Sequence, residues 1–180
     1  MNYEALRKRE CLIPLDTKRW FSFAWKNAWL MHSARTAIAA AGSLAIARLF
    51  KMPEAYWAPI SAIIVIQSTL GAAWTTAKQR FIGTALGAVF GGLLTSYFEP
   101  QLITFAAAIV VLGLMCALLH LDQSAYRFAG AAFAIVMLVG RGEAAWLIGL
   151  HRFVEVSLGI AVSLAVSALW PGHRLAQGGP

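Results

Sequence analysis

The sequence predicts an all-α fold: a polytopic transmembrane bundle of six helices, preceded by an N-terminal interfacial helix. Of the 180 residues, 59% are hydrophobic and 13% are charged, which leaves too little polar surface for a soluble domain of this length. The apolar residues fall into six segments, and a bilayer core about 30 Å thick takes about 20 apolar residues per helix. The first half of the chain also recurs, in part, in the second half.

Residues 1–30 are predicted to form a cytoplasmic or interfacial amphipathic arm. Asp16 or Thr17 is a candidate cap for a helix, and the aromatic and basic side chains that follow suit the headgroup zone of a membrane. These are Trp20, Phe21, Trp25 and Trp29, with Lys18, Arg19 and Lys26. The polar first half and aromatic second half argue against a cleavable signal peptide. A helix that docks on a partner is the alternative.

The six predicted spans form two units of three. The first unit is residues 31–98, with spans at 32–50, 53–69 and 74–98; the second is residues 99–171, with spans at 102–119, 126–139 and 145–170. Residues 172–180 are predicted to be a flexible cytoplasmic tail. The second and fifth spans are short, so we expect them to be buried among other helices. Pro59 predicts a kink in the second span.

The positions of the cations predict the orientation. Lysine and arginine are enriched in cytoplasmic segments, and an arrangement with both termini in the cytoplasm puts most of the cations on that side. They are Arg7, Lys8, Arg9, Lys18, Arg19, Lys26, Lys78, Arg80, Arg127 and Arg174, against Arg48, Lys51 and Arg141 outside. The net charge of +7 therefore indicates topology, and nucleic acid is not an expected partner.

A single shift of the sequence along itself aligns Trp74 with Trp146 and Arg80 with Arg152, without a gap. Matched tryptophans and arginines are better evidence of an internal duplication than matched alanines or leucines. Because each unit contains an odd number of spans, the second copy is inverted relative to the first. Inverted repeats are typical of transporters, whose substrate site lies near the midplane between the copies.

The two aligned arginines are candidate anion-binding residues. Each is expected about six residues, or roughly 9 Å, inside its helix, from opposite membrane faces. A buried cation costs at least ~2.5 kcal/mol in a bilayer, and the arginine fork matches a carboxylate. The alternative for Arg80 is a boundary charge that reaches the headgroups. For Arg152 the alternative is an ion pair with Glu155, one helical turn on, and that glutamate is also a candidate proton carrier in coupled transport.

Other polar, aromatic and small residues complete the predicted site. Gln67 and Thr84 are expected to line a polar cavity or to bond neighbouring backbone, and Trp57 or Trp74 is a candidate to stack on an aromatic substrate. Small residues at every fourth position predict close helix packing; they are Gly83, Gly87, Gly91, Gly159, Ser163 and Ser167.

No motif points to an enzyme. The four histidines have no metal-ligand spacing, and there is no nucleophile elbow, phosphate loop or paired-carboxylate arrangement. Cys11 lies in the N-terminal arm and Cys116 in an apolar predicted span, so the two cysteines do not suggest a disulfide framework. We therefore expect no cofactor, no metal and no catalytic residue.

The stretch YWAPISAIIVIQSTLGAAWTTAKQRFIGTALGAVFGGLL, residues 56–94, resembles the signature of the fusaric acid resistance family. That family is grouped with the aromatic acid exporters, and its membrane part is similar to that of the plant aluminium-activated malate transporters. The aromatic pair before the second span, the turn at Gly71 and the Arg-x-x-Gly-Thr-x-x-Gly pattern at residues 80–87 carry the resemblance. It implies export of aromatic or other organic carboxylates across a bacterial inner membrane, or anion conduction, with the arginine-bearing helices near the pathway.

The sequence thus predicts a multi-pass exporter of organic carboxylates in a bacterial inner membrane, with a passive anion channel as the first alternative. The second alternative is a structural subunit of a larger membrane complex. Many members of the resembled family are longer, with a soluble domain or a second membrane half. A six-span unit is therefore expected to assemble as a homo-oligomer, with a dimer favoured by analogy with the malate channels. A periplasmic adaptor is a possible further partner.

Overall fold

The computed structural model describes residues 15–67, 69–139 and 144–170, without the side chains of residues 15–28 and 144. Over these ranges the chain is helical and contains no strand. The helices are α1 (Leu15–Leu49), α2 (Trp57–Val65), α3 (Leu70–Tyr97), α4 (Leu102–Leu118), α5 (Gln123–Val139) and α6 (Ala144–Leu169). The all-α prediction is confirmed. The predicted cap at Asp16 or Thr17 is wrong, because α1 already includes both residues and continues without a break into the first predicted span. The predictions about the aromatic and basic side chains of the arm up to residue 28, about Arg141 and about the tail at 172–180 lie outside the described residues.

The chain divides into two units. The first comprises residues up to Ala34 and the second runs from Arg35 to Pro180. In the first unit the described part is the start of α1. The helix packing described below belongs to the second unit.

Helices α1 and α4 end in the same way. In each, the second residue after the last helical one has a positive φ, 51° at Lys51 and 52° at His120. The next residue donates its N–H back five positions, from Met52 to the Ala47 carbonyl and from Leu121 to the Cys116 carbonyl, both at 3.0 Å. These are the features of a Schellman cap, which satisfies carbonyls that the helix leaves unpaired. One such cap therefore ends the first helix of each predicted three-span unit.

Helix α2 is much shorter than its predicted span. Nine residues rise only about 13 Å, roughly half of a bilayer core. The helix ends because Ile66 takes an extended conformation, with φ −66° and ψ 122°. Pro59 lies in the first turn of the helix, where its missing amide proton leaves no hydrogen bond unmade. The predicted kink at Pro59 is therefore absent, and the break comes at Ile66.

Helix α3 lies at the centre of the bundle and packs on α5 and α6, and α6 also packs on α2. Glycines make the closest contacts. A Cβ added at Gly87 would meet the carbonyl oxygen of Ala129 and would lie 2.8 Å from the Ala132 Cβ, and a Cβ added at Gly159 would meet the carbonyl oxygen of Ala58. Such close backbone approach is the main source of packing energy between helices in lipid.

The contacts also give the relative directions of the helices. Gly83 and Gly87 of α3 meet α5 at Ala125 and Ala129, so the two helices run parallel. Helices α2 and α6 are also parallel, because Glu54, just before α2, bonds Glu155 while Ala58 lies against Gly159. Helices α3 and α6 are antiparallel. Their contacts are Ala88 with Gly149 and Gly92 with Trp146, so one residue number falls as the other rises.

By length and apolar composition, one helix of the described ranges is sufficient to cross a membrane alone: the segment Ala145–Leu169 of α6. The helices Leu102–Leu118 and Gln123–Val139 are apolar and shorter. The six crossings stay a prediction.

Candidate functional site

The two arginines of the predicted site are buried and adjacent. The exposed fraction is 6% for Arg80 and 4% for Arg152, and the two like charges lie close enough to interact. Because α3 starts at Leu70 and α6 at Ala144, the arginines lie about ten and eight residues into their helices, roughly 15 and 12 Å. Both arginines are therefore deeper than the predicted depth of roughly 9 Å. We call Arg80 and Arg152 the arginine pair.

Helix α2 supplies a contact to each member of the pair. Arg80 donates a hydrogen bond from Nη2 to Ser61 Oγ at 3.1 Å. One turn earlier, the Trp57 ring lies against the other arginine, with its centroid 3.6 Å from Arg152 Cζ. Ser61 and Trp57 point the same way because they are one turn apart on a helix, and the Ser61 hydroxyl itself donates to the Trp57 carbonyl at 2.8 Å. This short helix therefore holds the pair together.

Two glutamates border the Arg152 side of the pair. The Glu54 N–H donates to Glu155 Oε1 at 3.0 Å, and the Trp57 indole N–H donates to Glu54 Oε2 at 2.7 Å. Glu155 is 1% exposed, and both glutamates interact electrostatically with Arg152. The carboxylates offset part of the positive charge.

Several polar atoms of the site are buried without a hydrogen-bond partner. They are Nε of Arg80, Nε and Nη1 of Arg152, and Oε2 of Glu155. The three atoms that belong to Arg152 and Glu155 therefore do not form the hydrogen-bonded ion pair that the spacing of these residues allows. The unpaired N–H groups of Arg152 are donors with a fixed planar geometry, available to an oxygen ligand.

The remaining predicted residues lie in different places. Thr84 is 3% exposed, one turn after Arg80 on α3, whereas Trp74 is 53% exposed and has the Lys78 ammonium 5.4 Å from its ring centroid. Gln67 lies past the end of α2, where its carbonyl accepts from Arg35 at 3.4 Å. The structure therefore brings Trp57 to the pair and leaves Trp74 and Gln67 at other positions.

The predicted small residues lie at helix contacts. Gly83, Gly87 and Gly91 face α5, and Gly159 faces α2. Ser167 accepts a hydrogen bond from Arg35. Ser163 is fully buried, and its Oγ has no hydrogen-bond partner.

Sequence reasoning missed Ser61, Glu54, Phe128 and Arg35. Phe128 lies under Arg80, with its ring centroid 4.9 Å from Cζ, as Trp57 lies under Arg152. A second alignment of the sequence with itself would have found Phe128. Shifted by one position less than the alignment of the two arginines, it places Trp57 on Phe128. Ser61 could have been found from its spacing, because it lies one helical turn after Trp57. Arg35 carried no signal beyond being a charge inside the first predicted span.

An apolar cavity of about 280 Å³ lies between α3 and α6. Its lining residues are Ala85, Ala88, Val89, Trp146, Gly149, Leu150 and Phe153. Neither arginine reaches it, so it offers no partner to a charged ligand and is separate from the pair.

Comparison with known proteins identifies the family. Residues 38–166 match the family described as fusaric acid resistance protein-like. The match covers the last part of α1, all of α2 to α5 and most of α6. The chain belongs to this family. The resemblance found in the sequence is therefore confirmed, and membership is consistent with a role other than catalysis.

Three relatives illustrate the similarity. The chain is 30% identical to inner membrane protein YeeA of Escherichia coli K12 over 92% of its own length and 46% of that protein. It is 25% identical to inner membrane protein YccS of the same organism, over 83% of the chain and 21% of YccS. It is 29% identical to an uncharacterized protein of Haemophilus influenzae, over 86% of the chain and 22% of that protein. The chain therefore spans less than half the length of each of these relatives, and no solved structure matches it.

Proposed function

We propose that the chain is an inner-membrane exporter of aromatic or other organic carboxylates, and that the arginine pair binds the carboxylate. The observation that carries this proposal is the imbalance of buried charge. Among the described residues, three arginines and one glutamate are at most 6% exposed: Arg35, Arg80, Arg152 and Glu155. A buried cation is costly in a membrane and is kept where it pairs with another group or serves a pathway. An excess of buried guanidinium groups favours an anionic substrate.

The geometry of Arg152 supports an aromatic carboxylate. Trp57 covers one face of the guanidinium, while Nε and Nη1 have no partner. These two N–H groups lie on different edges of the guanidinium, and each can donate a charge-assisted hydrogen bond to a carboxylate oxygen. An aromatic ring attached to that carboxylate would then lie beside the indole, where offset or edge-to-face contact is favourable. Trp57 is accordingly our candidate for the residue that recognises the substrate ring.

Corresponding contacts in the two halves support the inverted repeat. Phe81 and Phe153, each directly after an arginine of the pair, meet with ring centroids 4.9 Å apart. The stacking of Arg80 on Phe128 corresponds to that of Arg152 on Trp57. The Phe81–Phe153 contact joins equivalent residues of the two halves, as a two-fold relation requires.

The helix directions support the predicted topology. In six alternating crossings, α3 and α5 run the same way, α2 and α6 run the same way, and α3 opposes α6, as in the contacts above. The nine residues of α2 rise about 13 Å, and the chain leaves the helix in an extended conformation at Ile66. A second span interrupted in this way resembles the broken helices that are common at transporter sites.

We also propose that the protein lies in a bacterial inner membrane with both termini in the cytoplasm and works as a homodimer. The names of YeeA and YccS as inner membrane proteins support the location. The subunit number follows from the resemblance to the malate channels. Native mass spectrometry from lipid nanodiscs is the measurement, and a monomer would contradict the dimer.

The experiment is counterflow in proteoliposomes. Vesicles preloaded with unlabelled 4-hydroxybenzoate should take up the labelled compound in the wild type. Uptake should fall at least tenfold in Arg80→Gln and in Arg152→Gln, because a hydrogen bond to a charged group is worth about 1.5–3 kcal/mol. The matched control is Arg127→Gln, which removes an arginine of α5 that is not buried and should leave uptake unchanged.

Two results would replace the proposal. Conductance without counterflow would identify a passive anion channel. Absence of any flux or binding, with complex stability changed by Arg80→Gln, would identify a structural subunit.

A further inference from the structure

A third buried arginine, Arg35 on α1, is poorly compensated. It is 3% exposed, and its Nη2 donates to Ser167 Oγ at 3.3 Å and to the Gln67 carbonyl at 3.4 Å. Both distances exceed the usual range of about 2.7–3.2 Å for such bonds, and both acceptors are neutral. Its Nε is buried without a partner. Among the described residues, therefore, no carboxylate balances this charge.

The surroundings of Arg35 offer further donors in an apolar setting. Ser163 and Ser167 lie on one face of α6, one turn apart. Ser163 is fully buried, and its Oγ has no hydrogen-bond partner. The adjoining wall is an apolar cluster of Ala39, Ala62 and Ile66 with Val166. One guanidinium and two hydroxyls beside apolar side chains are groups suited to hold a single negative charge.

This group is separate from the arginine pair. Arg152 and Ser167 lie about four turns apart on the same helix, which is roughly 22 Å at about 1.5 Å per residue. Ser167 lies near the end of α6, the end that the proposed topology assigns to the cytoplasm. The buried face of α6 carries polar or small residues between the two places, among them Glu155, Gly159 and Ser163.

We propose that Arg35, Ser163 and Ser167 form a second carboxylate-binding site, at the opposite end of α6 from the arginine pair. The site holds the organic anion at the cytoplasmic entrance before it moves to Arg80 and Arg152. Its place in a transport sequence rests on the proposed function, whereas binding at Arg35 is a separate property. A monocarboxylate fits better than a phosphate, because one guanidinium balances one negative charge.

The test is equilibrium binding of radiolabelled 4-hydroxybenzoate to the full chain in lipid nanodiscs. The wild type should bind two molecules per chain. Arg35→Gln should bind one, and the double variant Arg80→Gln/Arg152→Gln should also bind one. Arg127→Gln, the control, should bind two. The variant Ser163→Ala/Ser167→Ala keeps the arginine and should weaken the second site roughly tenfold, which gives a readout if Arg35→Gln fails to fold.

The outcomes separate this inference from the proposed function. One bound molecule in the wild type, lost in the double arginine variant, would overturn the second site and leave the arginine pair standing. One molecule retained by that double variant and lost in Arg35→Gln supports the second site even if the arginine pair binds nothing. An unchanged count of two in Arg35→Gln, with lower thermal stability, would show that Arg35 only balances the carbonyl end of α2 and would overturn the inference.

Discussion

Two helix contacts, α2 against α6 and α3 against α5, have matching frameworks around different chemistry. Each joins a helix of one predicted three-span unit to a helix of the other, with glycine contacts of the same kind at Gly159 and Gly87. Each contact brings an aromatic ring under an arginine of the partner helix. The buried groups beside the two rings, however, differ between the contacts. Ser61 of α2 corresponds to Ala132 of α5.

The difference extends one turn along each contact. Where Gly83 of α3 packs directly on the Ala125 carbonyl, the corresponding pair at the α2–α6 contact is Glu155 and Glu54, joined by a hydrogen bond. At these positions the α3–α5 contact is thus close backbone packing, while the α2–α6 contact contains two carboxylates and the indole of Trp57. If the chain descends from a duplication, the framework was kept at both contacts while the buried polar residues diverged.

The largest effect should come from the shared framework. Gly87→Ala and Gly159→Ala should each lower the free energy of unfolding by about 2–3 kcal/mol, because the added methyl overlaps a backbone carbonyl that cannot move alone. Thermal unfolding in detergent measures this. The control is Gly71→Ala, at a glycine with nothing within 4 Å of an added Cβ, which should be neutral or slightly stabilising. A loss confined to one of the two glycines would break the proposed equivalence of the halves.

A smaller effect should appear at the α2–α6 contact. Ser61→Ala leaves Arg80 Nη2 without its hydrogen bond, so stability should fall by about 1–1.5 kcal/mol and the affinity for 4-hydroxybenzoate should change with it. Ser43→Ala is the matched control, because Ser43 is also fully buried in a helix and bonds only its own helix, at the Ala40 carbonyl. Equal losses in stability and unchanged affinity in both variants would mean that Ser61 has no special relation to the pair.

The helical class and the burial of Arg80 and Arg152 could be read from the sequence, because each leaves a pattern in residue type and spacing. The length of α2 could not. Residues 53–69 are largely apolar, and the break at Ile66 accompanies a tertiary contact that Arg35 makes with the chain beyond it. Ser61 and Glu54 were not predicted for the same reason. A serine and a glutamate of this kind become site residues only when α3 and α6 pack against them.

For Gln67 and Trp74 the structure agrees with the alternative that the sequence left open: Gln67 bonds neighbouring backbone, and Trp57, not Trp74, lies at the arginine pair. Each has a side chain suited to a binding site and a position near the second or third span, yet Gln67 bonds the neighbouring Ile64 carbonyl at 3.4 Å and Trp74 lies on the exposed side of α3. The residue types of Gln67 and Trp74 indicate what each side chain can bind. The direction in which each side chain leaves its helix, which depends on where that helix begins and on its neighbours, decided the location.

The smallest effect should come from the ring that differs between the two contacts. Trp57→Phe keeps an aromatic face under Arg152 and makes the α2–α6 contact resemble that of Arg80 on Phe128, but it removes the indole hydrogen bond to Glu54. Its loss should cost about 0.5–1 kcal/mol, so the KM for 4-hydroxybenzoate counterflow should rise roughly two- to five-fold while the maximal rate is kept. Phe128→Leu, at the α3–α5 contact, should leave the KM unchanged. If instead Phe128→Leu raises the KM and Trp57→Phe does not, the substrate binds beside α5. The α2–α6 contact would then serve only to stabilise the fold.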